Sequence, residues 1–373
     1  MKAAPRRRLL LLGGGHAHVQ VLDALARAPL AGVQATLVTP FARQMYSGMV
    51  PGLVAGHYAA DECAVALAPL AAAAGVTLHL AAAVALDAAA RRVSLSDGQV
   101  LDYELLSLDT GAHMDRDAIP GAHEHALFVR PIEDFIARLD ARLQHAARGE
   151  LVVAGGGAAG VELAMALAWR LRRADGPAGV SLVSGDMLPG FAPRVRQRAL
   201  RALAALDVTV WPQPCVAIED DHLRLAGGAR VACNLPLLAI GASAPRWLAG
   251  SALALDAQGF VATGPTLQSV SHAEVFAAGD VAARVDAPRP KSGVHAVRAG
   301  PPLAANLRRW LEGAPLLTHR PQTRTLYLLS CGERRAIAAW GGWSAEGRWV
   351  WRWKDRIDRA FVARYARQAA TTA

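Results

Sequence analysis

Two glycine-rich turns lie about 140 residues apart, each at the end of an apolar run. Leu9-Leu10-Leu11-Leu12 leads into Gly13-Gly14-Gly15-His16-Ala17-His18, and Leu151-Val152-Val153-Ala154 leads into Gly155-Gly156-Gly157-Ala158-Ala159-Gly160. A glycine turn from a buried strand into a helix offers backbone N–H groups to a pyrophosphate. The second turn carries G-x-G-x-x-G in full. There Gly155 allows the tight turn, Gly157 lets backbone approach phosphate, and Gly160 lets helix and sheet pack closely. The first keeps Gly13 and Gly15 but has His18 in the third place, where a side chain is expected to push the helix slightly off the strand. His16 and His18 stand two apart on a helix and share no face, so no metal site is assigned to them. Two such turns imply two dinucleotides, held so that one passes electrons to the other.

A third element adds to this. Val275-Phe276-Ala277-Ala278 ends in Gly279-Asp280, a place where a carboxylate can accept a hydrogen bond from a sugar-alcohol chain. Lys291, Ser292 and Gly293 follow at the expected start of a helix, whose positive end would stabilise negative charge on a reduced flavin ring. An acidic residue usually ends the second strand of each motif to bind a ribose hydroxyl. Here those places hold Thr39-Pro40 and Ser184-Gly185-Asp186, so NADH and NADPH both stay open, with Asp186 pointing toward NADH.

These groups need positioning elements. The reading places a buried parallel strand at 8–12, a helix at 16–28 and a strand at 35–39. An irregular, turn-rich stretch follows at Tyr46–Gly52, then a helix at 64–74. Antiparallel strands are expected over 91–108, turning at Ser96-Asp97-Gly98, and the strand Leu105–Leu108 ends at Asp109-Thr110-Gly111-Ala112. Ile132, Phe135, Ile136, Leu139 and Leu143 share one face of a helix at 132–147. Strands are read at 180–183 and 235–240, the latter ending at Gly241-Ala242, and a helix at 293–312. The remainder forms a hairpin and a basic, tryptophan-rich helix. Beyond the two turns no internal repeat is visible.

In this order the motifs resemble the pyridine nucleotide–disulfide oxidoreductase superfamily, on the branch of type II NADH:quinone dehydrogenases and sulfide:quinone oxidoreductases. Narrower stretches resemble the flavoprotein found fused N-terminally to selenide, water dikinase. These are Gly14–Val19, Tyr46–Met49 through Gly56-His57-Tyr58, and Trp351–Asp355 with Ile357-Asp358-Arg359; with the sequence running to Ala373, no kinase half is expected, which weakens any selenium role. The resemblance implies an α/β fold of two Rossmann-like dinucleotide-binding domains plus a small C-terminal α+β module. The FAD domain would be split into 1–118 and 259–320, the NAD(P) domain inserted at 119–258, and the module would cover 321–373. FAD would be held by Gly13, Gly15, His16, Ala17, Tyr46, Gly111, Gly279 and Asp280. NAD(P)H would be held by Gly155, Gly157, Gly160 and Gly241. Glu162 would sit near the nicotinamide, the Tyr46–Gly52 loop over the flavin, and Lys291 to Arg298 beside the ring and the acceptor. Glu162, Lys291 and His295 are thus the candidate catalytic residues, with His295 the titratable side chain that would relay a proton near neutral pH or else simply contact protein. Sulfide and disulfide enzymes of this group use cysteine pairs beside the flavin. The four cysteines here, Cys63, Cys215, Cys233 and Cys331, are scattered, which argues for a reducing compartment and against structural zinc and redox-disulfide chemistry. The expected function is therefore hydride transfer from NAD(P)H to FAD and two electrons onward to a small acceptor, quinone favoured. Soluble reduction of a selenium or sulfur compound, and flavin sensing with little turnover, are the alternatives.

The 373 residues are 53% hydrophobic and 19% charged, which describes a globular chain of two or three domains. A net charge of +9 comes without any nucleic-acid motif, so no nucleic-acid partner is expected. Residues 349–368 carry six basic side chains (Arg352, Lys354, Arg356, Arg359, Arg364, Arg367) against Asp355 and Asp358. Val350, Trp353, Ile357, Ala360, Phe361 and Tyr365 form an apolar stripe along them. That stripe would lie on a membrane surface, or pack on the flavin domain or a second subunit as a homodimer. The expected location is cytoplasmic, free or peripheral on the inner face of the membrane.

Overall fold

The computed structural model describes residues 7–145, 149–174 and 179–371, with side chains described as far as residue 366. Arg6, the last two residues of the helix expected at 132–147, and the Arg367 side chain lie outside the described residues.

The first unit is a doubly wound sheet. It contains β1 (Arg7–Leu12), α1 (His16–Arg27), β2 (Val33–Thr39), α2 (Val50–Val54), α3 (Leu67–Ala73), β3 (Thr77–Leu80) and β4 (Leu105–Leu108). Both faces of β1 are covered, which is why its leucines run without interruption. Leu9 and Leu11 join one apolar cluster with α1, while Leu10 and Leu12 join another on the opposite face. The stretch expected to be irregular at 46–52 is helical instead. A short turn of helix at Ser47–Met49 runs into α2, with Pro51 in its first turn, where its missing N–H costs nothing. At 64–74 a short strand, Ala64–Ala66, precedes α3.

The second unit contains β5 (Leu127–Phe128), α4 (Ile132–His145), β6 (Leu151–Ala154), α5 (Ala158–Arg173), β7 (Val180–Val183), α6 (Pro193–Ala205), β8 (Thr209–Trp211) and β9 (Leu235–Leu238). Its sheet order is β5-β9-β6-β7-β8, parallel throughout. The chain then returns to the first sheet with β10 (Val275–Ala277) and α7 (Gly293–Glu312). The first sheet is thereby completed in the order β10-β4-β1-β2-β3, again parallel throughout. The first unit is discontinuous and the second is inserted into it.

The two units are built alike. Each has a three-stranded antiparallel meander between its edge strand and the strand beside its first: 83–87, 92–95 and 100–102 in one, 215–218, 222–225 and 230–232 in the other. Sequence shows this duplication only at the glycine turns. It also corrects the reading of 91–108: residues 92–95 and 100–102 pair antiparallel, but β4 lies parallel between β1 and β10. The chain closes with three antiparallel strands, one more than the expected hairpin: β11 (Leu326–Ser330), β12 (Ala336–Trp340) and β13 (Trp343–Gly347). They lead into α8 (Arg348–Thr371).

α8 packs onto residues 44–63 of the first unit. Tyr58 donates to Asp355 at 2.7 Å, Arg359 pairs with Glu62 at 2.9 Å, and Phe361 stacks on Tyr46 with ring centres 4.3 Å apart. The expected apolar stripe is divided by this packing. Val350, Phe361 and Tyr365 turn inward together with Lys354 and Asp358, while Trp353 and Ile357 join Trp349 on the solvent side. No helix among the described residues is long and apolar enough to cross a membrane.

Candidate active site

Both glycine turns sit at the carboxyl ends of the parallel strands, where an open α/β sheet places its ligands. Gly13 and Gly155 have φ of 91° and 134°. A Cβ on either would fall 2.3 or 2.2 Å from the carbonyl oxygen of the residue after the neighbouring strand, Asp109 or Ala239. No substituent fits there. A Cβ on Gly157, by contrast, would meet nothing within 4 Å, so its bare backbone faces open space. Among the described residues, the N–H groups of Gly14 and Gly15, and of Gly156 and Gly157, have no backbone acceptor. The Thr110 hydroxyl beside Gly13 is buried and unpartnered. Unfilled donors at each turn, over open backbone at Gly157, fit a phosphate group.

The two cradles differ at one matched place. In the second, Gly160 faces Ala239, and helix and sheet meet through small atoms. In the first, His18 and Asp109 stand there. The His18 ring is fully buried, with Nδ1 2.6 Å from the Gly13 carbonyl and Nε2 2.8 Å from the Ser107 hydroxyl. So the ring does not simply push the helix away; it is bonded into the space. Burial lowers its pKa to about 4, so it is neutral. Asp109 accepts the N–H groups of Ala17 and His18 at 2.8 and 2.9 Å and caps α1 from across the sheet. Burial pushes the Asp109 carboxyl well above its ordinary range, against the pull of those two donors. That shift favours the neutral carboxyl, which opposes a phosphate's charge less than a carboxylate does.

Asp280 follows β10 at the mouth of the first cradle and pairs with Arg130 at 2.6 Å. Gly279 abuts Asp109; a Cβ there would lie 2.3 Å from Asp109 Oδ1. The N-terminus of α7 arrives at the same place, with Gly293 against the Ser47 hydroxyl and close to His16. His16 in turn lies 5.4 Å from Tyr46 and 6.0 Å from Phe361, ring to ring. Burial pushes its pKa down to about 4.

In the second unit, Glu162 lies on α5 two residues past Gly160. Its Oε1 accepts the Ser330 N–H at 2.7 Å. Burial raises its pKa to about 7, with Lys354 and the Ser330 N–H pulling the other way. Lys354 is buried in an ion pair with Asp358 at 2.6 Å and also donates to the Gly48 carbonyl. Asp358 bonds to the Tyr46 side chain. Glu162, Lys354, Asp358 and Tyr46 thus connect the second unit, α8 and the first unit. The loops after β4 and β9, carrying Gly111 and Gly241, join one another through an antiparallel bridge, His113 to Ser243.

Residues 7–300 match the family described as pyridine nucleotide-disulphide oxidoreductase. The chain belongs to this family. Its members bind FAD and NAD(P)H, and the two cradles fit those groups. An NADH dehydrogenase-like protein of Mycobacterium tuberculosis is 31% identical over 244 residues, 61% of each chain. The chain therefore spans about three-fifths of that relative's length. The demethylphylloquinone reductase of Synechocystis is 26% identical over 85% of this chain and 83% of its own. The sulfide:quinone oxidoreductase of Aquifex aeolicus shares the fold, with a TM-score of 0.81 at 16% identity, over 97% of this chain and 92% of its own.

Within the family fold, the predicted residues gather unevenly. Gly13, Gly15, His16, Ala17, Gly279 and Asp280 meet at the first cradle, with Tyr46 beside His16. Gly155, Gly157 and Gly160 form the second. Lys291 is held in a wall: its ammonium lies 3.6 Å from the Phe260 ring centre and donates to the Ala282 carbonyl at 2.6 Å. His295 is half-buried, its Nε2 has no partner, and burial lowers its pKa. The sequence reading missed Arg130, Asp109 and Lys354 as site residues. Asp109 and Arg130 were visible as charges at the ends of apolar strands; nothing marked Lys354 as inward-facing.

Proposed function

We propose that this chain is an FAD-dependent NAD(P)H:acceptor oxidoreductase whose acceptor is a quinone. The observation that carries the reading is the pair of equivalent cradles, whose following loops join at the His113–Ser243 bridge. FAD, when bound, supplies a ring that accepts hydride from NAD(P)H and passes two electrons on. The protein binds, orients and handles charge. Gly156 and Gly157 would hold the nicotinamide dinucleotide; Gly14, Gly15, Thr110 and Asp280 would hold FAD. The positive end of α7 at Gly293 favours negative charge beside His16 and Ser47. Glu162, poised near neutrality, can hold or release a proton at Oε1 or Oε2, and His295, whose Nε2 has no partner, can take one there.

All four cysteines are free, and burial pushes the thiols of Cys63, Cys233 and Cys331 up to about 12. They are poor nucleophiles, which favours direct electron transfer over disulfide exchange. The quinone reading draws on the names of the Synechocystis and Aquifex relatives. A membrane surface would supply that quinone, and the exposed row Trp349, Trp353 and Ile357 is the face for it.

The test is spectroscopic. The purified protein should be yellow, bleach anaerobically with NADH or NADPH, and regain colour with a soluble quinone but not with an oxidised disulfide. A colourless protein that cannot be reconstituted with FAD, or a yellow one that neither nicotinamide bleaches, would overturn the reading.

A further inference from the structure

Away from both cradles, a half-open cavity of about 300 Å³ lies where three parts of the chain meet. Its walls come from Gly56 and His57 after α2, Trp169 and Arg173 at the end of α5, Glu333 and Arg334 between β11 and β12, and Arg348 at the start of α8. Three guanidiniums converge there, and among the described residues none of them is paired with a carboxylate. Other arginines, among them Arg130, Arg198, Arg246, Arg284 and Arg359, do have acidic partners. Glu333 is the single acid of the wall.

Two of the three guanidiniums lie against aromatic rings rather than anions. Arg173 lies 5.9 Å from the Trp169 ring centre, and Arg334 5.5 Å from that of Trp351. His57 sits between the two indoles, 6.4 Å from Trp169 and 5.9 Å from Trp351. Its Nε2 donates to the Gly332 carbonyl at 2.7 Å, which fixes the ring. Guanidiniums stacked on indoles are oriented and weakly hydrated, so they lose little on binding an oxyanion. The indole N–H of Trp169 is buried with no acceptor, a second unfilled donor function in the same wall. Like charges sharing a concavity repel, and a multiply charged anion relieves that repulsion while filling the donors.

We propose that this cavity binds a phosphate group, carried by a small phosphate ester or by a lipid headgroup. A volume near 300 Å³ is at the lower end of ligand pockets and suits a phosphate with a small organic body. Trp349, exposed beside Arg348, makes a headgroup a natural source, while the half-enclosed shape equally admits a free ester. Because the walls belong to both units and to the C-terminal module, an occupant would brace all three.

The experiment uses the full chain loaded with FAD. Inorganic phosphate and glycerol 3-phosphate are titrated calorimetrically against chloride at matched ionic strength, and flotation with phosphatidylglycerol vesicles is run beside it. Wild type is compared with Arg173→Gln, Arg334→Gln, the double variant, and Arg224→Gln as an exposed charge control on the second meander. Retained flavin absorbance verifies folding. Loss of one charge-assisted contact should weaken binding about tenfold in each single variant, with no measurable binding in the double and no change in Arg224→Gln. A loss confined to the ester arm identifies a soluble ligand; a loss confined to vesicles identifies a headgroup; both support the site. Equal responses from all variants in both arms, the signature of an adventitious ion only, would overturn it.

Discussion

Glu162 Oε1 accepts the backbone N–H of Ser330 at 2.7 Å, so the helix of the second cradle is tied to the C-terminal sheet through a carboxyl that titrates near neutrality. The consequence for pH follows from the direction of the shift. Enclosure raises the pKa from 4.5 to about 7, so the folded state holds a proton that the unfolded chain has released. Stability contributed by the neutral form is present below pH 4.5 and is lost as pH rises toward 7. Glu162→Gln should remove this slope from a melting series across that window. The same variant should lower the turnover number about 100-fold and flatten its pH profile, the loss usual for one acid–base group. An unaltered pH–rate profile would remove Glu162 from proton handling.

Gly155 and Gly157 make opposite forecasts. Gly155→Ala forces a Cβ against the Ala239 carbonyl at a φ of 134° and should cost about 2 kcal/mol or more in chemical denaturation. Gly157→Ala meets open space, so the melting temperature should hold while NADH binding weakens at least about tenfold, because the methyl occupies the phosphate's approach. Equal behaviour of the two variants would show that the second turn does not bind a dinucleotide.

Asp109 acts as a cap as well as a neighbour of the FAD cradle. Asp109→Ala strips the acceptor from the Ala17 and His18 N–H groups and should cost about 1–2 kcal/mol. Asp109→Asn keeps an acceptor oxygen without charge and should retain both fold and FAD. Since burial raises the Asp109 pKa, wild-type stability in the acid range should fall as pH rises, and the Asn variant should lose that trend. FAD affinity far above wild type in Asp109→Asn at neutral pH would mean that the carboxyl is charged there.

The buried Lys354–Asp358 pair predicts asymmetric costs. Lys354→Met leaves Asp358 uncompensated, and should cost about 3–5 kcal/mol, whereas Lys354→Met with Asp358→Leu should recover most of it. Thermal or urea unfolding measures both.

Because the inward face of α8 packs on residues 44–63, deleting the helix would damage the first unit and confuse any test of membrane binding. Trp349→Ser with Trp353→Ser changes only the exposed face. It should reduce sedimentation with anionic vesicles several-fold while the melting temperature holds, since these rings contribute little to the core. Unchanged partitioning would leave α8 with a packing role alone.

Local chemistry in the sequence determined the two strand–turn–helix units. An unbroken apolar strand before Gly13 or Gly155 can only be buried on both faces, and a glycine turn after it can only lead into a helix close to the sheet. Asp280 was legible for the same reason, as a charge that ends an apolar strand. Tertiary structure decided what those units share. That β4 runs parallel between β1 and β10, that the loops of Gly111 and Gly241 bridge at His113 and Ser243, and that the two units are duplicates all depend on long-range pairings without a local signature. The inward turn of Lys354 and Asp358 was equally invisible. Helical periodicity marks them as polar interruptions of a stripe, and only the Gly48 carbonyl and the Tyr46 hydroxyl, some 300 residues distant, give a buried charge pair partners enough to stay.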